Sequence, residues 1–389
     1  MKIDHIETIN LLFNYDQGFA YAGGSCTGRV TTLVLVRTDD GRTGVGSAYS
    51  HPGLLYLIIQ RQLAPMLIGK DPRDVETLWD LMYNSTRWYG RKGVAMTALG
   101  GLDTAFWDLR GQAADKPIFE LLGGESATCP AYGSALLWNS PEELAKEACQ
   151  LVENGFRRMK MRLGRGAETD AAVLKTIRKA VGPDIDLMID GSMRYEFEEA
   201  LDLARLLEEY RAFWFEEPFP PEEIDLYKQL RGFVTVPIAA GENEFGLQGF
   251  RELIRGGAVD IVQPDASRCG GITETLRVAW LAQRSGLNFA PHSWCDAVAI
   301  VANAHLVASQ PNGVTVEIDQ TGNPFVEQLL AEPLTVSDGM IKLSDKPGLG
   351  IELNAKMVDE YRLPDPLLLP NGMYSDMAFG DALLKPISS

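Results

Sequence analysis

The chain is short of the residue types that mark several functional classes. Its 389 residues include only four histidines and five cysteines, and no Cys-x-x-Cys pair is among them. An odd number of scattered cysteines argues against a disulfide framework and against a cysteine-based zinc site. No uninterrupted apolar run approaches the roughly 18 residues of a membrane span, and charged residues interrupt the first apolar positions. These absences favour a reducing, cytoplasmic location. The cysteines are Cys26, Cys129, Cys149, Cys269 and Cys295.

Positive charge is also scarce. Thirty-six Lys and Arg oppose 53 Asp and Glu, which gives a formal net charge of −17. Such a chain repels phosphate backbones and anionic lipid, and the sequence has no evident basic patch. We therefore expect no nucleic-acid partner and no membrane partner. An anionic small molecule stays open as a ligand, provided that a cation and well-placed basic side chains offset the overall field.

What the chain does contain is enough apolar sequence for large cores. Hydrophobic residues make up 46% of it and charged residues 23%, as in ordinary globular proteins. The length exceeds that of one typical domain and suits a barrel of about 250 residues with a smaller companion. Two domains are therefore expected.

The N-terminal part predicts a small α+β unit of about 125 residues. A strand over 31–36 and a second over 43–46 flank the turn Asp39-Asp40-Gly41. Helical spacing follows over 74–83 and 95–113.

From Pro130 onward, short apolar strands alternate with longer amphipathic segments about every 25 residues. Eight successive strand-helix units predict a closed parallel barrel of the TIM type, an α/β fold, rather than an open sheet. After the barrel, a stretch rich in turn-forming residues predicts a tail that packs on the surface or on the first domain. The strands are predicted at 131–138, 157–163, 186–191, 213–217, 237–241, 260–264, 288–292 and 314–318.

Acidic residues end three successive predicted strands. They are Asp190, Glu216 and Glu242, separated by 26 residues each time, so one strand-helix unit lies between neighbours. Side chains at matched strand ends converge at the mouth of a barrel. Burying three carboxylates together without a cation would cost several kcal/mol each, and all-oxygen ligation suits magnesium better than zinc. The alternative is that each acid only caps the following helix.

Basic and imidazole groups end other strands. Alternation in the second strand places Lys160 and Arg162 on the inward face, although a strand with a solvated basic edge would look the same. His292 ends the seventh strand and Asp265 the sixth, so the carboxylate can fix the imidazole tautomer and raise its basicity. The alternative for His292 is an ordinary buried hydrogen-bonding residue. In the eighth strand Glu317 or Asp319 can hydrogen-bond a substrate carboxylate, or serve as a cap.

These residues together resemble the enolase superfamily, and specifically its mandelate racemase subgroup. The resemblance covers nearly the whole chain. It includes a stretch that looks like the family's passage from a capping domain into a barrel. That stretch is Asp103-Thr104-Ala105-Phe106-Trp107-Asp108-Leu109, Lys116-Pro117 and Leu121-Leu122-Gly123-Gly124.

The resemblance implies a role for each strand-end residue and a Mg²⁺ cofactor. The implied magnesium ligands are Asp190, Glu216 and Glu242. The implied catalytic residues are Lys160, Arg162, Asp265, His292 and Glu317, with Asp265 and His292 as the base dyad, Lys160 and Arg162 on the family's Lys-x-Lys, and Glu317 on its eighth-strand acid.

The resemblance also implies the domain layout: a capping domain over 1–125, a modified (β/α)7β barrel over 126–355, and a C-terminal segment over 356–389 that packs back on the capping domain. Specificity would come from the segments 15–29 and 48–53. Candidate substrate-binding residues are Tyr49, His51 and Asn243. The expected partner is a small-molecule carboxylate, and the expected assembly is a homo-oligomer, a dimer or an octamer.

One departure from the family pattern bears on the reaction. Arg162 stands where related enzymes carry a second lysine that acts as a base, and a guanidinium is a poor proton acceptor. Dehydration of an acid sugar through an enediolate needs one acid-base group on one face, so we rank a hydro-lyase above a racemase or epimerase. Cycloisomerisation shares the first step. A non-catalytic ligand-binding barrel is the alternative of a different class, and magnesium titration separates it.

Overall fold

The computed structural model describes residues 1–21, 24–364 and 377–379. None of the helices in these ranges combines the length and apolar character needed to cross a bilayer. Two sheets organise the chain, one of four strands near the N-terminus and one of ten strands that contains the barrel.

The first sheet is built on a long antiparallel hairpin of β1 (Ile3–Tyr21) and β2 (Gly24–Thr38), and β3 (Thr43–Ala48) pairs with β2. The predicted strand-turn-strand over 31–46 is confirmed as β2 and β3. Strand β1 was not predicted, because two register shifts interrupt its pairing and break the alternation of buried and exposed residues. The described residues of the segment 15–29 therefore belong to the paired strands β1 and β2.

Helix α4 (Val94–Ala114) lies directly on this sheet. A Cβ atom on Gly46 would stand 1.9 Å from the carbonyl oxygen of Gly101, so only glycine allows this approach. The other helices before the barrel are α1 (Pro52–Tyr56), a π-helical turn (Leu57–Leu63), α2 (Ala64–Leu67), α3 (Val75–Thr86) and α5 (Ile118–Leu121). The predicted helices over 74–83 and 95–113 are confirmed as α3 and α4.

Eight parallel strands form the barrel, and each begins and ends within four residues of its predicted bounds. Neighbours pair in sequence order, the last strand pairs with the first, and a parallel bridge from Phe289 to Gly313 links the last two. The strands are β4 (Thr128–Ser134), β5 (Arg158–Arg162), β6 (Asp186–Asp190), β7 (Trp214–Glu216), β8 (Ile238–Ala240), β9 (Ile261–Val262), β10 (Asn288–Phe289) and β11 (Val316–Asp319).

Seven helices connect these strands, and the element directly after β11 is the four-residue helix α13 (Pro324–Glu327) in place of an eighth long helix, so the barrel has the predicted (β/α)7β form. The connecting helices are α6 (Pro141–Glu153), α7 (Ala167–Val181), α8 (Phe197–Glu209), α9 (Ile224–Arg231), α10 (Gly246–Arg255), α11 (Gly271–Arg284) and α12 (Ala297–Ser309).

The remaining elements follow the barrel in the chain. A hairpin of β12 (Val336–Ser337) and β13 (Met340–Lys342) pairs with the start of β4. Helix α14 (Ala355–Tyr361) follows, and the amide of Leu363 donates to the carbonyl of Asn10 at 2.8 Å. Strand β14 (Met377–Phe379) pairs with β2. The rest of the predicted C-terminal segment lies outside the described residues.

Buried hydrogen bonds join the first sheet to the barrel. Asp296 caps α12 by accepting from the amides of Val298 and Ala299. Its other carboxylate oxygen accepts from the hydroxyls of Thr31 and, at 2.6 Å, of Ser47. Strands β2 and β3 are thereby fixed beside the segment that follows β10.

Candidate active site

The barrel pairing brings the three predicted carboxylates together. Asp190 and Glu216 are direct partners in the register of β6 and β7, and Glu242 lies two residues beyond β8. One oxygen of each residue lies within 4.8 Å of an oxygen of the other two. An apolar layer that includes Met188 and Trp214 closes the barrel interior beneath them. The arrangement can hold a metal ion at the mouth of the barrel.

Glu216 carries the densest set of contacts in this cluster. Its Oε1 accepts from the ammonium of Lys160 at 2.6 Å, and its Oε2 accepts from Trp214 Nε1 at 3.0 Å and Gln263 Nε2 at 2.9 Å. Burial raises the pKa of Glu216 to about 8 despite the opposing effect of Lys160, and the neighbouring Asp190 raises it further. The protein groups therefore leave the carboxylate charge only partly compensated.

The two inward basic residues of β5 face the carboxylates. Lys160 is fully buried and also lies 3.0 Å from Oε1 of Glu317. Burial alone would lower the pKa of Lys160, but Glu216 and Glu317 hold it well above its usual value, so the ammonium stays charged. Arg162 places Nε 3.2 Å from Asp190 and donates from Nη1 to Ser134 at 2.8 Å.

His292 and Asp265 form the expected pair. His292 Nδ1 lies 2.8 Å from Asp265 Oδ2, and the other oxygen of Asp265 accepts from the amide and hydroxyl of Ser267. Because Nδ1 is engaged, Nε2 is the atom that faces the cluster, 3.5 Å from Glu242 and 3.8 Å from Glu317. Burial lowers the pKa of His292, but Glu242, Glu317 and Asp265 outweigh it and raise the pKa to about 9.

The two acids of β11 have different surroundings. Glu317 points into the barrel, where its Oε2 accepts from the amide of Ser293 at 2.9 Å. Burial raises the pKa of Glu317, but Lys160 and His292 dominate and hold it well below the usual value. Asp319 instead forms a buried ion pair with Arg29 of β2 at 2.6 Å. Glu317 is thus the β11 acid that lies in the site.

The three candidate substrate-binding residues differ in the residues that surround them. Asn243 adjoins Glu242, and its amide donates to Glu217 at 2.7 Å. Tyr49 belongs to a small apolar cluster with Trp294, and its amide donates to the carbonyl of Ser267. His51 precedes α1, and its buried Nδ1 has no hydrogen-bond partner within the described part of the chain.

Several residues of the site were not predicted. Glu217 is a further buried carboxylate, with a left-handed backbone (φ 35°), and it accepts from the amide of Gly241 at 3.2 Å. Burial, followed by the charge of Glu242, raises the pKa of Glu217 to about 8. Gln263 lies two residues before Asp265, and Trp214 lies two residues before Glu216. Alternation along each strand would therefore have predicted both side chains on the inward face. Glu217 departs from this alternation because of its strained backbone.

Sequence profiles identify both parts of the chain. Residues 16–123 match the mandelate racemase / muconate lactonizing enzyme N-terminal domain, and residues 143–357 match the enolase C-terminal domain-like family. The D-galactarolactone cycloisomerase of Agrobacterium fabrum is 36% identical over 94% of this chain and all of its own length. The arabinonate dehydratase of Saccharolobus solfataricus is 34% identical over 84% of this chain and 89% of its own.

Solved structures agree with this assignment. The crystal structure of a racemase from Streptomyces coelicolor A3(2) with bound magnesium superposes with a TM-score of 0.87 at 26% identity, covering 93% of this chain and 100% of that one. Curated relatives are named as dehydratases and cycloisomerases of sugar acids. The chain therefore belongs to the enolase superfamily and, within it, to the mandelate racemase subgroup.

Proposed function

We propose that this enzyme removes the proton next to a substrate carboxylate with Mg²⁺ held by Asp190, Glu216 and Glu242, and that it dehydrates an acid sugar to a 2-keto-3-deoxy acid. The observation that carries the proposal is the position of His292 Nε2, which lies 3.5 Å from Glu242, one of the three carboxylates that can hold the metal. The proton acceptor and the metal site therefore converge on one reaction centre.

The donor set suits magnesium. All three groups are carboxylate oxygens, which hard divalent cations prefer, and no thiolate or imidazole is among them. Burial, and after it the neighbouring Asp190, raises the pKa of Glu216, so a bound cation would stabilise the charged form of this carboxylate. Magnesium bound there would stabilise the negative charge that builds on the substrate carboxylate when the α-proton leaves.

The residues of the chain then have distinct tasks. His292 accepts the α-proton at Nε2, while Asp265 holds the imidazole in the tautomer that has its proton on Nδ1. Lys160 stays protonated between Glu216 and Glu317 and supplies a fixed positive charge. The protonated His292 then donates the same proton to the departing β-hydroxyl. Water leaves, and the enol product becomes the 2-keto acid.

Cycloisomerisation is the second candidate, because a D-galactarolactone cycloisomerase is 36% identical over nearly the whole chain. It begins with the same proton abstraction, but a ring oxygen departs instead of water. A racemase needs an acceptor on the second face, and Arg162 does not provide one at neutral pH. The reactions differ in their products, so one assay set separates them.

The decisive experiment is a screen of mono- and diacid sugars and their lactones with Mg²⁺. Dehydration predicts a 2-keto acid and a new methylene group in the NMR spectrum. Cycloisomerisation predicts that a lactone is consumed without loss of water. Racemisation predicts solvent deuterium at the α-carbon with the β-hydroxyl retained. If no acid is turned over with Mg²⁺, the proposal is wrong.

Two sets of variants test the assigned roles. His292→Asn should abolish turnover while leaving the magnesium-dependent rise in melting temperature intact. Glu216→Gln and Glu242→Gln should abolish that rise, whereas Glu244→Gln is the matched control. Glu244 lies on the same loop but pairs with Lys92, so its loss should leave magnesium binding unchanged. Full turnover by His292→Asn would remove the histidine from the mechanism.

Location and assembly follow as part of the same proposal. We place the enzyme in the cytoplasm, since no disulfide joins its cysteines within the described residues. We also propose a homo-oligomer, which light scattering coupled to gel filtration tests directly.

A further inference from the structure

One indole ring contacts two guanidinium groups at the mouth of the barrel. Trp294 follows β10, two residues after His292, and it is 8% exposed. Its ring centroid lies 4.4 Å from the Cζ atom of Arg162 and 4.4 Å from the Cζ atom of Arg29. Arg162 comes from the barrel and Arg29 comes from β2 of the first sheet, so the ring contacts side chains of both sheets.

Each arginine has its own carboxylate. Arg29 pairs with Asp319 at 2.6 Å and also donates to Thr321. Arg162 lies 3.2 Å from Asp190. Two like charges beside one ring would repel each other, and the separate ion pairs offset this repulsion. The result is a continuous chain of contacts that runs from the pair between β11 and the first sheet to a proposed metal ligand. Its members are, in order, Asp319, Arg29, Trp294, Arg162 and Asp190.

Arg162 keeps hydrogen-bonding capacity for a substrate. Its described hydrogen bond goes from Nη1 to Ser134, and Nε faces Asp190, whereas a guanidinium has five N–H donors. Lys160, its neighbour on the same face, is enclosed by Glu216 and Glu317 and is fully buried. Arg162 is therefore the β5 cation better placed to reach a substrate oxygen.

Building on the proposed function, we propose that Arg162 is a fixed cationic donor to the substrate, and that Trp294 and Arg29 are positioning residues that hold its guanidinium plane. The ring becomes more important when Asp190 shares its charge with a metal ion, because the Asp190 contact then restrains Arg162 less. A face of Trp294 attracts the guanidinium without competing for its N–H donors. The ligand class is a sugar acid that places a carboxylate or hydroxyl oxygen beside β5.

A double-mutant cycle tests this coupling. Trp294→Leu, Arg162→Gln and the double variant are made in a His292→Asn background, which should bind the acid without turning it over, and are compared for the affinity of galactarate and of arabinonate, measured by calorimetry with saturating Mg²⁺. Trp294→Leu alone should weaken binding of the preferred acid roughly tenfold, the size of a desolvated cation–π contact. In the Arg162→Gln background the same change should have little further effect. Where binding is too weak for calorimetry, the same cycle is repeated in proteins that retain His292, and kcat/KM is compared in place of the affinity.

Conservative variants and a control complete the design. Trp294→Phe and Arg29→Lys should recover most of the affinity, because each retains a ring or a cation. Arg29→Met should behave as Trp294→Leu does. Trp280→Leu is the control, since Trp280 lies on α11 and is 44% exposed. All variants should keep the magnesium-dependent rise in melting temperature.

The outcomes separate the two proposals. Equal losses from Trp294→Leu in both backgrounds would mean a general structural role and would overturn the positioning proposal alone. Loss of the magnesium-dependent melting shift in Trp294→Leu would do the same. If the wild-type protein binds no sugar acid with Mg²⁺, the proposed function fails together with this inference.

Discussion

The ammonium group of Lys160 lies 2.6 Å from Oε1 of Glu216, and both side chains are fully buried. Removing one partner of a buried ion pair leaves the other charge without compensation, which typically costs about 3–5 kcal/mol. Lys160→Met should therefore lower the free energy of unfolding by roughly that amount in EDTA. The loss should be smaller with Mg²⁺, because a bound cation compensates Glu216.

Denaturant unfolding with and without the metal measures this effect. Lys146→Met is a suitable control, because Lys146 pairs with Glu143 on the exposed surface of α6 and its loss should matter little. An equal loss of stability in EDTA and in Mg²⁺ would contradict the idea that Lys160 and the metal compensate the same carboxylates.

Asp265 should be needed for turnover but not for metal binding. Asp265→Asn removes the carboxylate that holds His292 Nδ1 at 2.8 Å, so the imidazole is free to adopt the wrong tautomer. We expect kcat to fall by about 10²–10⁴-fold with a smaller change in KM. Ser267→Ala, which removes one donor to the same carboxylate, should cost far less. A kcat close to wild type in Asp265→Asn would refute the orienting role.

His305 should make stability depend on pH. Its Nδ1 accepts from the amide of Phe119, its Nε2 faces the carbonyl of Leu349, and burial lowers its pKa from 6.5 to about 4. Between these two pKa values, the unfolded chain therefore binds a proton at His305 that the folded protein does not bind. The contribution of His305 to the free energy of unfolding is complete above pH 6.5. It is lost as the pH falls toward 4, by about 3 kcal/mol in all.

Unfolding free energies measured across this pH range test the claim. His305→Gln keeps an acceptor and a donor but cannot ionise, so its curve should be flatter than that of the wild type. The exposed His5 provides the control, and His5→Gln should keep the wild-type slope. Parallel curves for wild type and His305→Gln would show that other groups cause the acid sensitivity.

Ser47 should contribute to the stability of the contact between the first sheet and the barrel. Its hydroxyl donates to the buried carboxylate of Asp296 at 2.6 Å, and hydrogen bonds to charged groups contribute about 1.5–3 kcal/mol. Ser47→Ala should lower the free energy of unfolding by an amount in this range. Ser126→Ala, at an exposed hydroxyl pair, should be nearly neutral and serves as the comparison. A neutral Ser47→Ala would mean that Thr31 alone satisfies Asp296.

Much of the barrel could be predicted from the sequence, because its strands are short apolar runs at a regular spacing. Matched positions at the strand ends then predicted that Asp190 and Glu216 converge at the barrel mouth, and alternation predicted that Lys160 lies on the inward face. Alternation failed where the backbone leaves the extended conformation. Glu217 has a positive φ and turns its carboxylate toward Asn243, so alternation could not reveal it.

Contacts between distant parts of the chain were beyond sequence reasoning. Arg29 and Asp319 are 290 positions apart, and Trp294 contacts residues of two sheets. No local pattern encodes such pairs, since they depend on how the hairpin of β1 and β2 lies over the barrel. Strand β1 itself was missed because its bulges break the alternation.

The sequence by itself determined the alternation of strands and helices, the acidic residues at the strand ends and the pairing of Asp265 with His292. These features are local or repeat at a fixed interval, so period and spacing suffice to find them. Only the tertiary structure decided which of Glu317 and Asp319 faces the site and which two cations contact the ring of Trp294. Those choices depend on buried charges that find partners across the domain interface, and such pairing is decided by packing in three dimensions.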